Sequence, residues 1–162
     1  MKNIEFKTII QEYESVDCLP EKDKALVLKA IEATKASYAP YSKFHVGAAV
    51  RLQNDVDVIG SNQENIAYPS GLCAERVALF AASTQYPGVP IEAIAITAFS
   101  DDFEVNFPVT PCGSCRQVLS EYEHIYGKQI RIIMHGHKSK VLIAEKVEDL
   151  LPLSFKTDGL KK

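Results

Sequence analysis

Residues Ile91 to Phe99 form a nearly unbroken apolar run, interrupted only by Glu92 and Thr97. A strand of that kind shows no polar face to water and must be covered on both sides. The neighbouring segments offer the covers. Pro20 suits the first turn of a helix, Glu21 and Asp23 suit its positive end, and Ala25, Leu28, Ile31 and Lys35 mark a stripe ending near Ser37. Cys73 to Thr84 reads as a second helix, with Ala74, Val77, Ala78, Phe80 and Ala81 on an apolar face. A third starts at Pro111-Cys112 and runs to about Glu123, and a short one spans Glu145 to Leu151 before Pro152. Further strands are expected at Phe44 to Leu52, Val56 to Ser61, Gln129 to Met134 and Val141 to Ala144. The Gln53-Asn54-Asp55 link is short enough for a hairpin, so the sheet is mixed. The expected fold class is α/β: three layers, α/β/α, around a central mixed sheet of about five strands.

The chain has 162 residues, which fits a single domain over 1–162. Residues 1–20 read as an N-terminal extension, in which Ile4, Phe6, Thr8 and Ile10 alternate like one buried face of a strand. Apolar residues are 46% and charged residues 24%, a balance that excludes disorder as the dominant state. The net charge of −3 argues against a nucleic acid polymer as partner. No apolar run is long enough for a membrane span, and no apolar export segment follows Met1, so the expected location is the cytoplasm.

In a reducing compartment the four cysteines are not a disulfide framework, and thiols grouped by spacing point to metal or redox chemistry. Cys73 stands alone, followed by Ala74-Glu75-Arg76, while Cys112 and Cys115 are three apart at a helix start, on one face. Zinc bound by three thiolates keeps its fourth tetrahedral position open, the mark of a catalytic site. Glu75, beside the first cysteine, can move protons without being a ligand. The thiolates are balanced by the positive ends of the helices and by Arg76, whose guanidinium can reach the ligand sulfurs. A thioredoxin-like redox pair or half of a structural zinc site are the alternatives for Cys112 and Cys115. A solvated carboxylate is the alternative for Glu75 and a surface salt bridge for Arg76. Cys18 reads as a small apolar residue of the extension, and His135-Gly136-His137 as a polar strand end.

With these motifs the chain resembles the small zinc-dependent cytidine deaminases that form homotetramers. The resemblance runs from Tyr38-Ala39-Pro40-Tyr41-Ser42-Lys43-Phe44 through Val46-Gly47-Ala48-Ala49 and Asn62-Gln63-Glu64-Asn65-Ile66-Ala67-Tyr68. It continues through Cys73-Ala74-Glu75-Arg76 and Pro111-Cys112-Gly113-Ser114-Cys115-Arg116-Gln117 to Leu150-Leu151-Pro152 and Phe155. It implies hydrolytic deamination of cytidine and deoxycytidine to uridine and deoxyuridine, with release of ammonia, as a step of pyrimidine salvage. Cys73, Cys112 and Cys115 would hold one Zn²⁺ per chain, and Glu75 would shuttle protons during attack of zinc hydroxide at C4. Asn62 and Glu64 would hold the ribose 3′-hydroxyl. Gln63, Ala74 and Tyr68 would line the pocket, Tyr68 at a subunit boundary, and Phe44 would pack near the base. Phe155, followed by the polar tail Lys156-Thr157-Asp158-Gly159, would enter a neighbouring subunit's site. From the residues alone, Asn62 and Glu64 could simply cap and solvate a loop, and Phe44 and Phe155 could be core. Ser61 and Gln63 depart from the family pattern, which favours cysteine and an aliphatic residue there. Another nucleoside or base-like substrate, or a zinc-stabilised binding module without catalysis, remain as other functions.

Overall fold

β4, Ile91–Ser100, lies inside a six-stranded sheet of order β1-β6-β5-β4-β2-β3, and every residue from Ala93 to Ala98 is buried. The computed structural model describes residues 1–156; the end of the polar tail, Thr157 to Gly159, lies outside them. The other strands are β1 (Ile10–Tyr13), β2 (Phe44–Leu52), β3 (Asp57–Ser61), β5 (Arg131–Met134) and β6 (Val141–Ala144). The helices are α1 (Glu21–Ala33), α2 (Ala74–Gln85) and α3 (Gly113–Tyr126). β2 pairs antiparallel with both β3 and β4, while β4 and β5 are parallel, so the sheet is mixed as expected. Since β3 and β4 both oppose β2, they run in the same direction. Their carboxyl ends share one end of the sheet, and from there the chain passes to α2 and α3.

The strand period of two divides the core between two layers. Ala48, Val50, Leu52, Ile94, Ile96, Ile132 and Met134 face the α2 and α3 side, against Ala78, Leu79 and Leu119. The alternate residues Ala49, Ala93, Ala95, Ile133 and Ile143 face α1 through Leu26, Val27 and Ala30. Small residues under α1 let it approach closely. A Cβ on Gly47 would stand 2.0 Å from the Ala30 carbonyl oxygen.

Several details differ from expectation. The sheet has six strands rather than about five, because the N-terminal extension adds β1 to the edge of β6. That strand is shorter than the alternating pattern: β6 is only 4 residues long, and its register runs out at Ile10↔Ala144. Ile4 and Phe6 therefore have no ladder to join and stay exposed. The buried stripe of α1 is Asp23, Leu26, Val27, Ala30 and Ala33, rotated from the expected one, and Leu28 is exposed. Asp23 can be buried because Arg131 pairs with it at 2.9 Å. The segment from Glu145 to Leu151 makes only a 3₁₀ turn, Val147–Asp149, because Lys146 before it is extended. Its first N–H donates to Glu123 Oε1 at 3.0 Å.

His135, expected on a polar strand end, is buried. Its Nδ1 lies 2.8 Å from Thr97 Oγ1 on β4. Burial, reinforced by nearby His137, pushes its pKa down from 6.5 to about 4. The native state therefore holds His135 neutral where the unfolded chain would already bind a proton. Stability should fall as pH drops through the interval from about 6.5 to about 4. Urea unfolding at several pH values should show this slope, and His135→Gln should flatten it between those limits. An identical slope in the variant would remove His135 as its source.

Candidate active site

The two loops that leave β3 and β4 deliver the cysteines to helix starts. Cys73 is the N-cap of α2 and Cys112 the N-cap of α3, both with extended backbone. Their carbonyls accept the first helical bonds, from the Val77 and Arg116 N–H groups at 3.1 and 2.9 Å. Neither side chain caps its helix, which leaves both sulfurs for another partner. Cys115, in the first turn of α3, is buried. The three Sγ atoms lie within 4.8 Å of one another. Cys73 and Cys112 are 3.9 Å apart, Cys112 and Cys115 3.5 Å. Tetrahedral zinc with Zn–S bonds of about 2.3 Å would space its sulfurs by about 3.8 Å, so the trio fits this ion. Among the described residues this is the only such group of His, Cys, Asp and Glu. Cys18 is exposed and lies beside Ser15 Oγ, outside the group.

The surrounding charges suit thiolates. Arg76 Nη2 donates to Cys73 Sγ at 3.6 Å, and Arg76 Nε is buried without a hydrogen-bond partner. Hydrogen bonding from Cys115, then from Arg76 and Cys112, holds the Cys73 thiol well below its usual range. The Cys115 thiol is pushed the opposite way by its bond to Cys73 and by burial, so the two sulfurs compete. A divalent cation at the trio would relieve that competition, because ligating thiols give up their protons. Glu75, two positions after Cys73, is only 4% exposed. Burial pushes its carboxyl pKa up, and the charge of Cys73 adds to the effect.

Over these groups opens a cavity of about 420 Å³. Asn62, Gln63, Glu64 and Tyr68 line it from the loop after β3, and Cys73, Ala74, Glu75, Arg76 and Cys112 from the two helix starts. Asn62 is anchored by the Val46 N–H and the Phe44 carbonyl. Glu64 Oε2 accepts from the Tyr41 and Ser42 N–H groups at 2.9 and 3.2 Å. Hydrogen bonding, first from the Ser42 side chain and then from these N–H groups, holds the Glu64 carboxyl below its usual range. Gln63 turns its side chain to Ser61 Oγ at 3.1 Å and the Ala36 carbonyl at 3.3 Å, so the two departures from the family pattern are bonded to each other. Phe44 is not in the lining; its ring stacks on Phe103 at 6.1 Å. Phe155 is also outside it and 72% exposed, with its backbone N–H and carbonyl both bonded to Gln117. Val46, Asn65, Gly71, Leu72, Val109 and Thr110 complete the lining. Sequence reasoning had not singled them out, although each lies next to or within a quoted motif or loop.

Comparison with known proteins agrees with this geometry. Residues 20–128 match a family model described as the cytidine and deoxycytidylate deaminase zinc-binding region. A cytidine deaminase of Halalkalibacterium halodurans is 35% identical over 135 residues, 83% of this chain and 95% of the relative. The crystal structure of a cytidine deaminase from Burkholderia pseudomallei superposes with a TM-score of 0.71 at 33% identity, covering 85% of this chain and 100% of the other. That of a cytidine deaminase from Mycobacterium tuberculosis gives 0.63 at 31% identity, covering 82% and 96%.

Metal analysis should find one zinc per chain. Cys73→Ala, Cys112→Ala and Cys115→Ala should each lose it, and Cys18→Ala should keep it. Arg76→Gln should release zinc to a chelator faster than the parent, because a compensating charge beside Cys73 is gone. Retention of zinc by the Cys115→Ala chain, or loss from Cys18→Ala, would contradict this assignment.

Proposed function

We infer the reaction from one premise: the chain belongs to the cytidine and deoxycytidylate deaminase zinc-binding family. It hydrolyses cytidine and deoxycytidine to uridine and deoxyuridine, releasing ammonia. The observation that carries this reading is the buried carboxyl of Glu75 beside a three-sulfur cluster, at one wall of a nucleoside-sized cavity. Cys73, Cys112 and Cys115 would hold the zinc, which would supply Lewis acidity and an activated water near neutral pH. Glu75 would take one proton from the attacking water and give it to ring N3; once the C4–O bond has formed, it would take the second proton from the C4 hydroxyl and give it to the amino nitrogen, so the C4–N bond breaks, ammonia leaves and the carboxylate is restored. A carboxyl raised by burial suits both the accepting and the donating step. Asn62 and Glu64 hold the ribose, and the carboxylate of Glu64 disfavours a phosphate there, consistent with a free nucleoside rather than a polymer.

The enzyme acts in pyrimidine salvage in the cytoplasm, as a homotetramer with shared sites. In support, no helix among the described residues is long and apolar enough to cross a membrane. Tyr68 and Phe155 are 82% and 72% exposed in the single chain. Two hydrogen bonds hold the Phe155 backbone, Gln117 Nε2 donating to its carbonyl and its N–H donating to Gln117 Oε1, while its ring has no place in its own cavity. Such a ring suits a neighbouring subunit's site, with Tyr68 near the same boundary.

Incubation of the zinc-loaded protein with cytidine should show loss of pyrimidine absorbance, with slower or no reaction on cytidine monophosphate and guanine. Glu75→Gln should keep zinc and bind nucleoside but lose turnover by about 10²–10⁴ or more. Near-normal turnover in that variant would remove Glu75 from the mechanism. Phe155→Ala chains mixed with Glu75→Gln chains under subunit exchange should recover part of the activity. Proven exchange without recovery would place Phe155 within its own chain's function.

A further inference from the structure

The Asn62 side chain has almost no freedom. Its Oδ1 accepts from the Val46 N–H at 2.8 Å and from the Ser37 hydroxyl at 2.6 Å, and its Nδ2 donates to the Phe44 carbonyl at 2.9 Å. A main-chain N–H can only donate and a carbonyl can only accept, so these partners set the orientation of the amide. An amide oxygen has two lone pairs. Val46 takes one and Ser37 the other, which leaves Asn62 a single N–H to offer. Two residues on, Glu64 spends Oε2 on the Tyr41 and Ser42 N–H groups, and its ionised carboxyl can only accept. This wall of the cavity therefore presents one donor and one acceptor, the complement of a single alcohol.

We propose that Ser37 is a positioning residue: by occupying the second lone pair of Asn62 Oδ1, it makes Asn62 a donor only and fixes how the pocket reads one substrate hydroxyl. The proposal rests on the deaminase reading of this cavity. Ser37 does not line the cavity, so it acts through Asn62 rather than on the ligand. It is well placed to do so. It follows the 3₁₀ turn Thr34–Ala36, its N–H bonds back to the Thr34 carbonyl, and the next N–H, of Tyr38, donates to the Asn62 carbonyl at 3.0 Å. The segment is thus tied to Asn62 through both backbone and side chain. Without the Ser37 hydroxyl, the oxygen keeps an open lone pair in a half-buried place, and the amide loses one of its tethers. Binding of the hydroxyl weakens, while the reacting end of the substrate, at the cysteines and Glu75, is untouched.

The test is steady-state kinetics of the zinc-loaded enzyme on cytidine and on 3′-deoxycytidine. Ser37→Ala should raise KM for cytidine by about five- to tenfold, with kcat held within about twofold. The same variant should leave KM for 3′-deoxycytidine within about twofold of the parent value, because that substrate lacks the hydroxyl being read. Ser37→Thr, which keeps the donor, should stay close to the parent on both. An equal rise in KM on both nucleosides, a loss confined to kcat, or no change on cytidine would overturn the role given to Ser37. A parent protein that loads zinc yet turns over neither nucleoside would overturn the deaminase reading, and this inference with it.

Discussion

Two strands that run the same way on either side of a shared antiparallel neighbour govern the site. β3 and β4 both pair with β2, so both end at one edge of the sheet, and the helices that follow them begin there. Their N-termini bring Cys73 to Cys112 across 39 positions of sequence, and the first turn of α3 adds Cys115 beneath. Thiolates repel one another, and they can share so small a volume only where positive charge is built in. The unsatisfied N–H groups of two helix starts supply part of it, Arg76 another part, and a divalent ion the rest.

Burial then does two things at once. It takes Cys115, the innermost of the three cysteines, out of water, and it raises the pKa of Glu75 so that one carboxyl can both take and give protons. The wet end of the cavity is built differently. There the turn at Tyr41 and Ser42 donates to Glu64, and Ser37 and β2 hold Asn62, so polar side chains that would otherwise wander are fixed by bonds to main chain or to each other. The zinc end is thus organised by electrostatics and the ribose end by hydrogen-bond valence, and the loop from Asn62 to Leu72 joins the two.

Much of this was legible in the sequence, for identifiable reasons. The nearly unbroken apolar run of β4 called for two covering layers, and the cysteine spacing at two helix starts pointed to one cluster. Both patterns are local and strong. The extent of β1 was not legible, because its pairing is limited by how far β6 runs rather than by its own alternation. The buried stripe of α1 was misplaced because Asp23, polar by type, is drawn inward by Arg131, 108 positions away. The burial of His135 at its polar strand end was not legible for the same kind of reason: its partner, Thr97, lies on the neighbouring strand. In the cavity, Val109 and Thr110 carry no chemical signature, and the bond from Ser37 to Asn62 joins residues 25 apart that no short motif connects.

The chemistry depends on a zinc ion held by three sulfurs with its fourth position open. Zinc K-edge X-ray absorption on the metal-loaded protein measures that directly. The predicted result is three sulfur scatterers at about 2.3 Å and one light oxygen scatterer at about 2.0 Å. A first shell of four sulfurs would contradict it, since a closed site leaves no place for the attacking water.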